Sequence, residues 1–189
     1  DILSLGREYS RIKSYFQEFV EFLRYTHTIM GDSFYRVRKA EGNYPFTSKK
    51  EIIYPAPSVE HKNRMSNIGF CVLYVSLHEF TAMAEAQIDN SFVDKYFQLT
   101  RFSTINDLVI FKLGLFGNLY LNSPRDSEYV KQEMNKLFGS EYHDGTIQGY
   151  AALECVMADI LYDQSDDYHL LSSILADAIF SKFNNIDAI

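Results

Sequence analysis

The stretch RMSNIGFCVLYVSLHEFTAMAEA, residues 64–86, sets three chemically distinctive side chains within a segment that otherwise reads as core. Arg64 is followed ten positions later by Tyr74, and Glu85 comes eleven positions after that. If the segment folds as a loop, a strand and a returning helix, Tyr74 lies about 7 Å back from the turn at 3.3 Å per strand residue. Glu85 then lies about 13 Å back at 1.5 Å per helical residue. The spacing therefore allows the three side chains to converge.

The local signals in this stretch predict that arrangement of elements. The run FCVLYV, residues 70–75, is rich in β-branched and aromatic residues and predicts a strand. Ser76 is followed three residues later by Glu79, which is the pattern of a capping box. Apolar residues at helical spacing then predict a helix that reaches Ile88.

Outside this stretch the chain alternates helical and extended patterns in an irregular order. We predict a first helix over 4–30, whose apolar face includes His27 and Met30, and a strand over FYRVR, 34–38. Further extended segments are predicted at 52–58, 96–104, 107–113 and the terminal IDAI, and further helices at 122–139, 146–162 and 167–183. In the helix over 122–139, Ser123 is the expected cap and Pro124 the first helical residue. This order predicts an α+β fold.

Composition and charge narrow the class of protein. A chain of 189 residues with 47% apolar and 23% charged residues is long enough for one sizeable core. The net charge of -7 disfavours a broad nucleic-acid surface but leaves room for a local basic pocket. No apolar run reaches the length of a membrane span, and the five histidines lack the spacing of a metal site. Cys71 and Cys155 lie in apolar runs and suggest buried thiols of a reducing compartment.

Taken one at a time, the distinctive residues have ordinary explanations. A helical glutamate is usually on the surface, a strand tyrosine usually packs in the core with a tethered hydroxyl, and a loop arginine usually faces solvent. Arg36, between Tyr35 and Val37, is explained equally well as a residue on the solvent-exposed face of a sheet. The residues alone indicate a folded α+β domain without an assigned chemistry.

The combined pattern resembles the RES domain family. The matching elements are Tyr35 and Arg36; Arg64, Ser66 and Gly69; Leu73, Tyr74 and Val75; and Thr81, Ala82 and Glu85. The resemblance covers 34–88 directly, and residues 166–189 are similar to the closing helix and following strand of the family. We divide the chain into an N-terminal helical extension, 1–33, and a RES-like domain, 34–189. That domain is expected to be incomplete, because the family's serine would follow Ile189.

The resemblance implies an ADP-ribosyltransferase-like mixed sheet with surrounding helices, and an enzyme that attacks NAD⁺. NAD⁺ is then a substrate, and no cofactor or metal is implied. Glu85 would stabilise the positive charge that develops on the ribose. Arg64 and Arg36 would hold the phosphates, and Tyr74 would orient the nicotinamide or ribose. Ser66 joins them in the nucleotide-binding set.

Members of the family act as bacterial toxins, so the resemblance also implies cytoplasmic localisation and an Xre-type antitoxin protein as partner, with no direct binding to nucleic acid or membrane. Three readings stay open at this point: an NAD⁺ phosphorylase or glycohydrolase, an ADP-ribosyltransferase that modifies a protein, and a catalytically inactive domain that binds a nucleotide or partner. The oligomeric state is also open.

Overall fold

The computed structural model describes residues 2–23, 26–40, 46–53, 65, 72–92, 95–122, 127–139, 144–162 and 166–189. Within these ranges the chain forms seven helices and four strands. In chain order they are α1 (Ile2–Phe22), β1 (Thr26–Ile29), β2 (Ser33–Lys39), α2 (Lys49–Ile52), α3 (Glu79–Glu85), β3 (Phe97–Ser103), β4 (Leu108–Phe111), α4 (Leu115–Asn122), α5 (Glu128–Phe138), α6 (Asp144–Tyr162) and α7 (Asp166–Lys182). This mixture confirms the α+β class. None of the described helices is long and apolar enough to cross a bilayer.

The chain divides into two compact units. The first, which we call the helical unit, comprises Asp1–Thr28, Asn63–Met65 and Val109–Ile189. The second, which we call the sheet unit, comprises Ile29–Lys62 and Ser66–Leu108. Because α1 packs against α7, the first helix belongs with the C-terminal helices. The proposed boundary between residues 33 and 34 stays a prediction.

The core of the helical unit is built from apolar faces of five helices around one strand. Phe111 of β4 is fully buried and its ring stacks on that of Phe183, with centroids 5.6 Å apart. The ring of Phe116 in α4 stacks on Tyr150 of α6 at 4.7 Å. Other buried members are Val20, Leu23, Leu115, Leu119, Val130, Met134, Ile147, Ala151, Met157, Leu175, Ile179 and Ile186. This apolar burial is the main stabilising contribution to the unit.

The end of the chain joins this unit through β4. Strand β4 pairs with β1, and Ile110 forms a parallel bridge with Ala188. The amide of Phe111 donates to the Ala188 carbonyl at 2.8 Å, and the Asp187 amide donates to the Val109 carbonyl at 2.8 Å. The terminal segment IDAI, which is predicted to be extended, pairs with β4 through a single isolated bridge and is not a strand of its own.

A buried carboxylate organises the start of α4. Glu154 of α6 is 4% exposed, and its Oε2 accepts a hydrogen bond from the Gly117 amide at 2.8 Å. Burial raises the pKa of Glu154, and hydrogen bonds from the backbone of Gly117, Gly114, Phe116 and Leu115 oppose that rise. A helix leaves its first amides without partners inside the helix, so this side chain from another helix takes the place of a cap.

The sheet unit is built around β2 and β3, which pair antiparallel from Ser33 opposite Ser103 to Lys39 opposite Phe97. Helix α3 packs against β2. β-Branched and aromatic residues in both strands account for this pairing.

Several sequence predictions hold in the structure. Strands β2, β3 and β4 and helices α6 and α7 lie within a few residues of their predicted positions. Helix α5 is present, but its cap is Ser127, whose side chain accepts from the Val130 amide. The predicted cap, Ser123, and Pro124 lie outside the described residues.

Other predictions are wrong. The first helix ends at Phe22 instead of residue 30, because Thr26, Thr28 and Ile29 are β-branched residues that form β1. Ile52 closes the short helix α2 instead of starting an extended segment, and the rest of the predicted segment, 54–58, lies outside the described residues. Cys155 is exposed, not buried, while Cys71 lies outside the described residues. Helix α4 was not predicted, because the predicted extended segment ends at residue 113 and the next predicted helix begins at residue 122.

Residues 72–75 do not form the predicted strand, and α3 begins at Glu79 with His78 as its cap residue. The expected capping box is wrong, because the Ser76 hydroxyl bonds elsewhere. Helix α3 also ends at Glu85, before the predicted Ile88.

A polar cluster between α1 and α7 gives a testable prediction about stability. Asp177 of α7 accepts hydrogen bonds from the Tyr9 hydroxyl at 2.8 Å and Ser181 at 2.9 Å, and its Oδ2 lies 2.8 Å from Lys13 Nζ. Burial alone would raise the pKa of Asp177, but these hydrogen bonds outweigh it and lower the pKa. A carboxyl whose folded pKa is depressed stabilises the fold above its unfolded pKa, and that contribution is lost as the pH falls through the folded pKa.

We therefore expect Asp177→Asn to lower the free energy of unfolding at neutral pH by about 1–2 kcal/mol, with the difference from the parent vanishing in acid. Thermal unfolding followed by circular dichroism at several pH values measures this. Glu8→Gln is the matched control, because Glu8 and Arg11 form an ion pair with both side chains more than half exposed. Equal melting of parent and Asp177→Asn at neutral pH would contradict the assignment.

Candidate functional site

The candidate site in the sheet unit starts from a bridge between two residues. The Tyr35 amide donates to the Ser76 carbonyl at 2.8 Å, and the Ser76 amide donates to the Tyr35 carbonyl at 2.8 Å. Tyr35 also lies opposite Arg101 of β3, so β2 has β3 along one edge and Ser76 at the other. In an antiparallel pair the residues that exchange both hydrogen bonds are fixed opposite each other. The segment around Ser76 is thereby set against the centre of β2.

Arg36 follows Tyr35 and points to the opposite face of the strand. Its guanidinium donates from Nη1 to the Tyr74 carbonyl at 3.1 Å. Among the described residues Nε of Arg36 is shielded from solvent without a hydrogen-bond partner, and no carboxylate there forms an ion pair with it. Arg36 is therefore a half-buried cation whose hydrogen-bonding capacity is not filled by the described part of the chain.

The electrostatics around Arg36 favour an anion. Burial lowers the pKa of the Arg36 guanidinium, the nearby charge of Arg38 lowers it further, and Tyr74 opposes the lowering. Arg38 shares the face of β2 with Arg36, and the residues opposite them on β3 are the uncharged Gln98 and Thr100. An arginine stays charged despite such a shift, so the direction of the shift indicates surroundings that are unfavourable for positive charge. A bound anion would offset that cost.

Arg38 is partly committed to local contacts. Its guanidinium lies 5.3 Å from the centre of the Phe46 ring and donates to the Glu51 carbonyl. Arg38 therefore adds positive potential to this face while it is held by contacts of its own.

Glu85 approaches the same segment from α3. Its Oε2 accepts a hydrogen bond from the Ser76 hydroxyl at 2.9 Å. Glu85 is the last residue of α3 and is exposed to solvent, whereas Ser76 is 7% exposed. The carboxylate is thus tied to the residue that pairs with Tyr35, while one side of it remains open to solvent.

The end of α3 is set by a compact turn. The Gln87 amide donates to the Ala84 carbonyl and the Ile88 amide to the Met83 carbonyl, both at 2.9 Å. Gln87 has φ 54°, in the left-handed region. This pair of bonds with a left-handed residue is a Schellman motif, and it stops the helix directly after Glu85.

Three of the five residues predicted for the site lie among the described residues, and Arg36 and Glu85 both contact the segment 74–76, which contains Tyr74. Arg36 contacts the backbone of Tyr74, the half-buried Tyr74 precedes Ser76 by two residues, and Ser76 holds Glu85. Arg64 and Ser66 lie outside the described residues. The Arg36 guanidinium and the Glu85 carboxylate thus contact the same segment, at residues two positions apart.

Sequence reasoning missed the role of Ser76. The residue was expected to cap α3, and the pattern Ser-x-x-Glu supported that expectation. Its separation of nine residues from Glu85 carries no common signal, so the contact follows from the fold and not from a local motif.

A concave region lies in the helical unit. It is lined by Phe22, Gly145, Thr146, Gly149, Tyr150 and Leu153. These residues supply neither a carboxylate nor a cation, so the chemistry that the sheet unit offers is absent from this lining.

Comparison of the chain with protein-family models, with curated proteins and with solved structures returned no match.

The bridge between Tyr35 and Ser76 predicts a pattern of hydrogen exchange. Both amides donate within the pair, so we expect each to exchange at least about tenfold more slowly than an unstructured amide, since exchange requires the bridge to open. Mass spectrometry with fragment-level resolution, or NMR, measures this. Ile105, which is 97% exposed in the turn before β4, is the fast control. Exchange at Ser76 as fast as at Ile105 would show that the bridge does not persist.

Proposed function

We propose that this chain is an NAD⁺-consuming enzyme that cleaves the bond between nicotinamide and ribose, as an NAD⁺ phosphorylase or glycohydrolase. The observation that carries the proposal is the pairing of Tyr35 with Ser76, which sets Arg36 beside Tyr74 and Glu85 beside Ser76 in one unit. The resemblance to the RES family supports it, since every one of these positions except Ser76 is part of the matching pattern.

The charge pattern suits the substrate. NAD⁺ carries a pyrophosphate, and Arg36 offers a half-buried guanidinium without a carboxylate partner among the described residues. Arginine binds phosphate oxygens through two parallel hydrogen bonds, which lysine cannot do. Arg64 is the second arginine proposed to hold the phosphates, on the strength of the sequence pattern alone. Ser66 is assigned to nucleotide binding on the same basis.

The chemistry requires negative charge near the anomeric carbon. The bond from ribose C1′ to the nicotinamide nitrogen breaks, the electron pair leaves with neutral nicotinamide, and the ribose passes through an oxocarbenium-like state. The Glu85 carboxylate would stabilise that positive charge more strongly in the transition state than in the ground state, which is the condition for acceleration. Tyr74 would pack against the nicotinamide or ribose. Because the leaving group is neutral, no strong general acid is needed.

The acceptor decides between the related activities. Attack by inorganic phosphate gives the 1-phosphate of ADP-ribose, attack by water gives ADP-ribose and a proton, and attack by a protein side chain gives an ADP-ribosylated protein. All three share the cleavage step. Product analysis with and without phosphate, and with a cell extract as protein acceptor, assigns the activity.

We further propose that this activity acts as a bacterial toxin held in check by an Xre-type antitoxin protein, as the resemblance implies. NAD⁺ depletion and growth arrest on expression, both absent with Glu85→Gln, would support the toxin role. Unchanged growth with normal NAD⁺ levels would argue against it.

Glu85→Gln is the first test of the mechanism. The change keeps the shape of the side chain and removes its charge, so we expect kcat for nicotinamide release to fall by about a hundredfold or more with little change in melting temperature. Chromatography of free nicotinamide measures this. Glu79→Gln is the matched control, because Glu79 is an exposed glutamate in the first turn of the same helix. A Glu85→Gln protein with parental kcat would remove Glu85 from the mechanism, and a parent that releases no nicotinamide would refute the function.

Arg36→Lys tests nucleotide binding. We expect Kd for NAD⁺ to rise about ten- to a hundredfold, because the two-pronged contact with phosphate is lost while the positive charge remains. Isothermal titration calorimetry measures Kd, and Arg64→Lys tests the second arginine in the same way. The control is Arg101→Lys, since Arg101 is exposed on β3 and its Nε donates to the Ser33 hydroxyl. Unchanged affinity in Arg36→Lys would separate this residue from phosphate binding.

A further inference from the structure

Ser76 combines a fixed backbone with a hydroxyl aimed at the proposed catalytic carboxylate. Both of its backbone groups bond to Tyr35 at 2.8 Å, and the side chain is almost wholly buried. Its Oγ donates to Glu85 Oε2 at 2.9 Å. From this geometry we propose that Ser76 is a positioning residue, which orients the Glu85 carboxylate for the reaction; this inference rests on the proposed NAD⁺ cleavage.

Glu85 needs such support because of its place in the fold. It is the last residue of α3, and the carboxyl end of a helix carries partial negative charge that disfavours a carboxylate. A glutamate side chain also has several rotatable bonds, so an exposed one samples many orientations. A hydrogen bond from a hydroxyl to an ionised carboxylate is stronger than one between neutral groups. The Ser76 hydroxyl therefore restricts the carboxylate at a point where the helix alone would not hold it.

The hydrogen bond from Ser76 engages one of the two carboxylate oxygens of Glu85, which leaves the other oxygen for the substrate. Ser76 donates to Oε2, and among the described residues Oε1 of Glu85 has no hydrogen-bond partner. A carboxylate fixed through one oxygen presents the other in a defined direction. In NAD⁺ cleavage that oxygen would face the ribose, where positive charge develops.

The inference predicts an effect on turnover more than on affinity. Misplacement of a catalytic group by about 1 Å can cost on the order of a hundredfold in rate, whereas Ser76 is not assigned a contact with the substrate. We expect Ser76→Ala to lower kcat for nicotinamide release about ten- to a hundredfold and to change KM by less than about threefold. Ser76→Thr keeps the hydroxyl and suits the extended backbone, so we expect it to restore kcat to within about threefold of the parent.

The chain offers a matched control. The Ser91 hydroxyl donates to Asp89 Oδ1 at 2.5 Å, which is a serine–carboxylate bond in the same unit at an exposed position. Ser91→Ala removes a bond of the same kind, and we expect parental kcat and KM. A fall in kcat with Ser91→Ala equal to that with Ser76→Ala would overturn the inference, because the effect would then not be specific to Glu85.

Melting temperatures separate positioning from folding. The inference holds if Ser76→Ala loses turnover while Ser76→Thr recovers it and both variants melt within a few degrees of the parent. It is overturned if Ser76→Ala keeps parental kcat, or if both variants lose turnover in proportion to lost stability. A parent without NAD⁺ cleavage refutes the proposed function itself and removes the basis of the inference. An active parent with an unaffected Ser76→Ala refutes the role of Ser76 alone.

Discussion

The two hydrogen bonds between Tyr35 and Ser76 are the constraint on which the candidate site depends. They engage one residue from the middle of β2 and one from a segment that is not itself a strand. Because the side chains of a strand alternate between its faces, fixing Tyr35 to Ser76 also fixes where Arg36 lies relative to Tyr74. The same contact fixes the start of the connection into α3, and with it the approach of Glu85. A cation and a carboxylate are thus placed by backbone bonding, before either makes a side-chain contact.

The electrostatic character of the site depends on the lack of charged residues opposite Arg36 and Arg38 on β3. A half-buried arginine beside a second arginine is costly unless a negative group compensates it. The residues opposite Arg36 and Arg38 on β3 carry no charge, and Glu85 bonds to a hydroxyl. In the described part of the sheet unit, Arg36 and Glu85 each contact the segment 74–76 and form no ion pair with each other. That separation is what binding a pyrophosphate and stabilising a cationic ribose would both require.

Much of the architecture could be read from local patterns, whereas the site could be read only in part. Helices α6 and α7 and strands β2 and β3 have strong periodic signals, and those predictions hold. FCVLYV, residues 70–75, also has a strong strand signal. Among the residues described, however, only Ser76 pairs with β2 at the edge opposite β3. The intrinsic β preference of a segment does not provide the neighbouring strand that it needs for pairing. Likewise Ser76 looks like a helix cap because composition does not reveal that its amide and hydroxyl are already engaged. Contacts between residues 35 and 76, or 76 and 85, depend on the tertiary fold.

The left-handed conformation of Gln87 has a consequence for how this region tolerates change. A residue with a Cβ in that conformation costs about 1 kcal/mol relative to glycine, so the chain carries local strain two residues beyond Glu85. A glycine here would relieve the strain in the folded state and enlarge the unfolded ensemble at the same time. At position 87, therefore, the torsion angle that ends the helix sharply is also one that costs stability in the folded state.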